Sequence, residues 1–369
     1  MDKKVVLVSE VSKPYKSIEV SSNNELFIDG YKFPIMINKE SKKMEIKGLK
    51  DVKAPKEISE MIIQLKTHGV TFTSSEEKLA EDILRYVNYY RLSVFMLFLD
   101  GNKSFSSLIS LYELDDFIRT SINRLIPSIE VFLKTNLAYF LANNRDDLTK
   151  DRDLPSGLIY LDKTIYKSRH IKNKDVDRWY SKVAEELYRK QEKDAMIKHH
   201  IEYYKGHIPI WVMVEHLTIG ELCSLITYLD RPVRKKWVNQ LSVSFPNFLI
   251  IEWVKTIQIL RNTGAHCSRF YSKYFNFNPT MLTNDEVEVF KSFNGNDEEL
   301  HKAKSRFSHS LFAGILVMKN FYNLLGDTEK NNWDVFVGKF EMKLSQTPES
   351  NLRNMSFPEN WKEILLFEK

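Results

Sequence analysis

Leu249-Ile-Ile-Glu-Trp-Val-Lys-Thr-Ile-Gln-Ile-Leu260 runs directly into Arg261-Asn-Thr-Gly-Ala-His-Cys-Ser-Arg269. Ile250, Trp253, Ile257 and Leu260 recur at three- and four-residue intervals, which predicts a helix with one apolar stripe. Carried through the second block, that helix puts Asn262, His266 and Arg269 on one face, with Arg261 about 100° round from Asn262. An imidazole moves protons near neutral pH, and guanidinium forks bind phosphate oxygens. No metal-ligand partner accompanies them. The set suits a phosphodiester, and cleavage of RNA without a metal ion is the leading expectation.

The chain has 369 residues, 43% of them hydrophobic and 12% aromatic, enough to bury a large core rather than remain disordered. Only 12 Gly and 11 Pro favour long helices over a turn-rich β fold. Two cysteines, Cys223 and Cys267, cannot make a disulfide framework, so a reducing cytoplasm is the expected compartment. No signal-peptide pattern heads the chain. No uninterrupted 18-residue apolar run occurs, so no membrane span is expected. Neither G-x4-GK[ST] nor G-x-G-x-x-G is present, which argues against a nucleotide cofactor. His199-His200, His207 and His216 lack Cys or acidic partners at zinc spacing, so no cofactor and no metal are expected.

The net charge of +5 is unevenly placed. Lys163 to Lys205 alone holds 12 Lys and Arg against 7 Asp and Glu, interleaved with Trp179, Tyr180, Tyr188, Tyr203 and Tyr204. Such a mixture suits an RNA strand, with charge for phosphates and rings for bases. The plainer reading is an amphipathic helix whose aromatics face the core.

Four regions follow from the pattern. Residues 1–50 carry short β-prone runs, Val5–Val8, Ile18–Val20, Glu25–Ile28 and Phe33–Ile37, punctuated by Asn23-Asn24 and Asp29-Gly30, and read as a small β-meander. Residues 54–145 turn helical, with Ile58, Ile62 and Leu65 in register before Gly69. A capping box is read at Ser74 with Glu77, opening a helix striped by Leu79, Ile83, Tyr86 and Tyr90. One or two long helices run from Leu111 to about Asn143, bent at Pro127. Residues 146–208 begin with a polar linker, 146–155, and hold the basic aromatic stretch. Residues 209–369 hold the motif helix, an acidic surface loop at 284–300 and a last apolar helix near Ala303–Leu325. The fold class is mostly α with a small N-terminal β-rich element.

Several blocks, in order, carry a resemblance. Ala54-Pro55 through Gly69 and Val87-Asn-Tyr-Tyr-Arg-Leu-Ser93 come first, then Leu111-Tyr-Glu-Leu-Asp115 with Arg119 and Ile129-Glu-Val-Phe-Leu-Lys134. Pro209-Ile-Trp-Val-Met-Val-Glu-His-Leu-Thr-Ile-Gly220, Leu260–Arg269 and Phe357-Pro-Glu-Asn-Trp361 complete the series. Over about residues 54–365 the chain resembles the abortive-infection proteins of the AbiD/AbiF (Abi-like) type, anti-phage defence proteins with a HEPN ribonuclease domain. Residues 1–50 fall outside that pattern, and Lys134 stands where an Arg is commoner. The resemblance implies a HEPN-type helical core with additional helices, a homodimer joining two R-x4-H motifs, and a toxin held in check by a partner, as in a toxin–antitoxin pair. It also implies an endoribonuclease acting on RNA, restrained by a non-coding RNA or by a protein.

Within that reading His266 does the acid–base work, Arg261 binds the phosphate, and Asn262 orients His266 or contacts the phosphate. Arg269 is either a further phosphate contact or a solvated residue. Glu130 and Lys134 either support the site or form an ordinary i, i+4 pair. For Arg119 an ion pair with a carboxylate on its own helix is preferred to a catalytic role. The alternatives are a catalytically silent RNA-binding protein and a protein-interaction module.

Overall fold

The computed structural model describes residues 54–101, 103–241 and 246–367, together with the backbone of 18–20, 26–28 and 31–33. The chain divides into two compact units, 1–64 and 65–369. In the first unit, strands β1 (Ile18–Val20), β2 (Leu26–Ile28) and β3 (Tyr31–Phe33) pair antiparallel in chain order. Ile18 lies opposite Ile28, and Ile28 opposite Tyr31. The proposed turn residues Asp29-Gly30 and Asn23-Asn24, the run Val5–Val8 and residues 34–37 lie outside the described residues.

The remaining regular elements among the described residues are helices joined by turns and loops. Helix α1 (Ile58–Thr67) buries Ile62 and Leu65 and stops just before Gly69. Gly69 has a φ of +90°, a conformation glycine adopts without steric cost. Next come α2 (Ser74–Leu84), the short α3 (Tyr89–Ser93) and α4 (Phe105–Asn143), a single helix of 39 residues. At 1.5 Å per residue α4 is about 58 Å long. Leu108, Leu111, Leu114, Ile118, Ile122, Leu125, Ile129 and Leu133 make its buried stripe. Pro127 sits inside it without ending it. A proline has no N–H, so the Asn123 carbonyl loses its i+4 donor there.

Two short helices, α5 (Arg145–Leu148) and α6 (Ser168–Lys172), lead to α7 (Asp175–Lys190) and α8 (Ala195–Tyr203). After α9 (Ile210–Met213) come α10 (Ile219–Tyr228), α11 (Arg231–Leu241) and α12 (Ile250–Ala265). The chain closes with α13 (Thr283–Val289), α14 (Asp297–Ser308), α15 (Leu311–Tyr322), α16 (Asp327–Ser345) and α17 (Trp361–Leu365). α4 is the spine on which α12, α15 and α16 pack, and α10 and α15 lie against α12. By length and composition α4 is also the described helix that could cross a membrane. Its apolar stripe is covered by these neighbouring helices, as a core helix requires.

Core contacts carry polar ties as well as apolar area. The Trp253 indole N–H donates to the Thr280 carbonyl at 2.8 Å, and the Trp333 indole N–H to Leu365 at 2.9 Å. The Tyr322 hydroxyl donates to the Leu125 carbonyl of α4 at 2.9 Å. Each ring buries a large apolar area while its one polar atom keeps a partner.

Four local expectations are corrected. The capping box belongs to Thr73 and Glu76, one residue earlier than read from Ser74 and Glu77. The stripe Leu79–Ile83–Tyr86–Tyr90 does not exist as one helix face. α2 ends at Leu84, and Leu79, Tyr86 and Tyr90 are exposed. Residues 284–300 are not a loop but hold α13 and the start of α14, the latter opened by an Asn296/Glu299 capping box. The last apolar helix is split at His309-Ser310, where the Ser310 hydroxyl caps α15.

Candidate functional site

α12 forms for the reason its sequence suggests. Ile250, Trp253, Val254, Ile257 and Leu260 are buried. Gly264 then brings α12 close to α4. A Cβ at this position would lie 2.8 Å from Asn123 Cγ, closer than real Cβ atoms come. Further along the chain, Phe270 and Tyr271 meet Asp115. Moving forward past α12 therefore means moving back along α4, and the end of the motif helix lies over the Asp115–Asn123 stretch.

The helix terminates at Ala265 with His266 as its cap. The Cys267 N–H donates to Gly264 and the Ser268 N–H to Thr263, both at 2.9 Å, while Cys267 sits at φ +50°. This pair of bonds around a left-handed residue is a Schellman closure, a position that usually holds glycine. A side chain there costs roughly 1–2 kcal/mol. The turn is braced from outside. Arg91 Nη1 of α3 donates to the Cys267 carbonyl. Asp115 Oδ1 accepts the N–H groups of Phe270 at 2.6 Å and Tyr271 at 2.7 Å. Burial pushes the Asp115 carboxyl up, and the two N–H groups, with Arg119 and Arg269, draw it back. His266 is thus carried on a segment fixed on both sides.

Arg261, Asn262 and His266 are brought together at this helix end. Arg261 Nη1 donates to Asn262 Oδ1 at 3.3 Å, turning the guanidinium toward the face that Asn262 shares with His266. Arg261 and His266 are exposed and Asn262 is half-buried. Among the described residues the imidazole has no hydrogen-bond partner, and the residue is exposed. The C-terminal end of a helix dipole does not attract anions. A guanidinium is available at this face from Arg261, whereas Arg91 is engaged with the Cys267 carbonyl.

Arg269 does not share that face. The Schellman turn redirects the chain, and Arg269 is half-buried, donating to the Tyr271 carbonyl at 2.7 Å with its guanidinium over the Phe98 ring at 4.8 Å. Burial pulls its pKa down, opposed by Asp115. It holds the turn. Arg119 is 8% exposed and pairs with Asp115 at 3.5 Å and with Asp116. Glu130 and Lys134 pair at 3.0 Å. Glu130 lies seven residues beyond Asn123 on α4, about 10 Å along the axis, and Lys134 lies near His216. Of the supporting residues, none is joined to His266 by a bond among the described residues.

The basic aromatic stretch divides. Trp179 is buried, its indole N–H donating to the Glu221 carbonyl at 3.1 Å, and Tyr180 donates to the Tyr160 carbonyl. Tyr188, Tyr203 and Tyr204 are exposed. His199 and Tyr203 have ring centroids 4.9 Å apart, and His200 and Tyr204 5.2 Å apart. No hydrogen bond or ion pair among the described residues connects this stretch to 261–269.

Sequence reading missed the role of Arg91, which lies 176 residues from its partner Cys267. It also missed Asp115 as the anchor and Asn123 as the neighbour of Gly264. The Val87–Ser93 and Leu111–Asp115 blocks flagged both regions, without saying what they touch. Searches of curated proteins and of solved structures gave no match. The model of one family, Abi-like protein, matches residues 82–272. That span is more than half of the chain and takes in Arg91, Asp115, Asn123 and the whole Arg261–His266 motif. The chain belongs to the Abi-like protein family.

Proposed function

We propose that this protein is a HEPN-type endoribonuclease whose R-x4-H motif, Arg261 to His266, cleaves RNA in abortive infection. Membership of the Abi-like family points to the abortive-infection role. The observation that carries the chemistry is the exposed His266 imidazole beside the Arg261–Asn262 pair, on a turn fixed by Arg91 and Asp115. Catalysis depends on holding the reacting groups in place, and a braced helix end does that better than a free loop.

RNA supplies its own nucleophile. An imidazole takes the 2′-hydroxyl proton while the 2′-oxygen bonds to phosphorus. The bond from phosphorus to the 5′-oxygen then breaks, and that oxygen receives a proton from an acid. The products are a 2′,3′-cyclic phosphate and a 5′-hydroxyl, and guanidiniums offset the charge on the phosphorane oxygens. One R-x4-H motif supplies a single imidazole. We therefore read the active form as a homodimer in which two copies of the motif face one groove, one imidazole acting as base and the other as acid. No step calls for a metal ion.

The test is end-group analysis of RNA cut by the purified protein in the presence of a chelator. The reading requires 2′,3′-cyclic phosphate and 5′-hydroxyl ends. Cleavage abolished by chelator and restored by a divalent metal would overturn the mechanism. Mixing His266→Ala chains into wild type should lower activity by more than dilution if the site is shared. Simple proportional loss would point to one complete site per chain.

A further inference from the structure

The closing block Phe357-Pro-Glu-Asn-Trp361 takes no part in the motif chemistry, yet it helps to enclose a cleft of about 660 Å³ within the unit 65–369. Asp100 and the segment 348–353 complete the lining. Phe357 and Trp361 are buried, with ring centroids 5.9 Å apart and planes at 76°. Three carboxylates, those of Asp100, Glu349 and Glu359, line the cleft against one guanidinium, that of Arg353. Arg353 is 86% exposed and 3.9 Å from Glu359, and an exposed pair of that length holds little. The chain as a whole carries +5, so the cleft reverses its sign locally. Glu349 gives the cleft a direction. Its Oε1 accepts the Ser107 hydroxyl of α4 at 2.7 Å. Its Oε2 is buried without a hydrogen-bond partner among the described residues. A buried carboxylate oxygen without a donor costs free energy, and a donor entering the cleft relieves that cost. The lining is also anchored: the Asn351 N–H donates to the Tyr271 hydroxyl at 2.8 Å, and the Tyr271 N–H to Asp115.

We infer that this cleft binds an alkyl cation, an ammonium or guanidinium group on an aliphatic stem. The carboxylates supply the opposite charge, and Glu349 Oε2 supplies the acceptor for a charge-assisted hydrogen bond. The Phe357 and Trp361 rings supply apolar surface for the stem and a negative π-face for the charge. The volume is that of a small-molecule site, apolar in part with a few converging polar groups. Phosphates are disfavoured by like charge, so the cleft is distinct from the phosphate-binding face proposed at Arg261. Two sources carry the required chemistry, an arginine or lysine side chain of a partner protein and a free polyamine. The inference does not depend on the endoribonuclease reading.

Ligand-observed NMR titration of the full chain tests the site with three probes: N-acetylarginine amide, putrescine, and N-acetylcitrulline amide, the uncharged isostere of the first. The cations should bind and the citrulline analogue should not. Tighter binding of the arginine probe assigns the site to a protein side chain, and tighter binding of putrescine assigns it to a free polyamine. Glu349→Gln should weaken binding of the tighter cation by roughly tenfold or more, as for loss of a hydrogen bond between charged groups. Asp100 is exposed, so Asp100→Asn should fold as the wild type does and weaken binding severalfold. Binding of neither cation at millimolar concentration overturns the inference, as does equal binding of the citrulline analogue. Wild-type affinity in a Glu349→Gln protein that melts normally overturns it too. Should Glu349→Gln fail to fold, Asp100→Asn decides, and unchanged affinity there overturns the inference.

Discussion

The Arg91 guanidinium of α3 is bonded to the main-chain carbonyl of Cys267, the residue after His266. The position of the imidazole therefore depends on a side chain 176 residues before Cys267. Arg91→Ala should lower RNA cleavage by roughly a hundredfold, because small misplacements of reacting groups cost about that much. Arg91 is exposed, so folding stability should fall by only about 1 kcal/mol. Cleavage rates and thermal melting of the same preparation separate the two effects. Wild-type cleavage by Arg91→Ala would contradict the bracing role.

Gly264 and Asn123 form a second coupled pair. Gly264→Ala places a methyl group against the Asn123 carboxamide, which is exposed and can rotate away. The helix gains about 1 kcal/mol from losing a glycine, so net stability should change little. The double variant with Asn123→Ala should be more stable than the sum of the single effects, by roughly 0.5–3 kcal/mol in a double-mutant cycle. Strict additivity would mean that the close approach is not felt.

Cys267 holds a left-handed position that favours glycine, with φ +50° and an exposed side chain. Cys267→Gly should raise stability by about 1 kcal/mol as the steric cost is relieved. Chemical denaturation reads this directly. A lower midpoint would show that the thiol makes a contribution of its own.

Glu221 predicts an acid-limb effect. Burial works to raise its carboxyl, but the Thr218 N–H and hydroxyl and the Lys182 ammonium outweigh it and hold it below its ordinary 4.5. A carboxylate with a depressed folded pKa stabilises the protein above its unfolded value, and that stability is lost as pH falls through the folded one. Wild type should therefore lose stability on acidification below about pH 4.5, and Glu221→Gln should lose less over the same range. Parallel curves for the two proteins would remove this group from the account.

Much of the helical framework was legible in the sequence, and the exceptions have physical causes. The α12 stripe shows in periodicity because one face is buried along its length. Where that helix stops does not show, since the turn is closed on Cys267 rather than on a glycine. Arg269 was therefore placed on a helix face that ends four residues earlier. The cap of α2 was misplaced by one because Thr73, Ser74 and Ser75 all carry hydroxyls, and the reach of Glu76 to the Thr73 N–H decides among them. α14 was readable from Asn296 and Glu299, a capping-box pair, but the acidic composition around it suggested a loop. Bonds such as Arg91 to Cys267 and Asp115 to Phe270 join residues far apart in the chain, and no local pattern encodes them.

In the proposed mechanism His266 performs the chemistry and Arg261 holds the phosphate. The most direct measurement compares the rate of single-stranded RNA cleavage by wild type, His266→Ala and Arg261→Ala at matched folded concentration. Both side chains are exposed, so both variants should melt as the wild type does. Wild type should cleave, and each variant should lose at least about a hundredfold in rate, as for removal of a general acid–base or an electrostatic stabiliser. A His266→Ala protein that cleaves at the wild-type rate would contradict the mechanism.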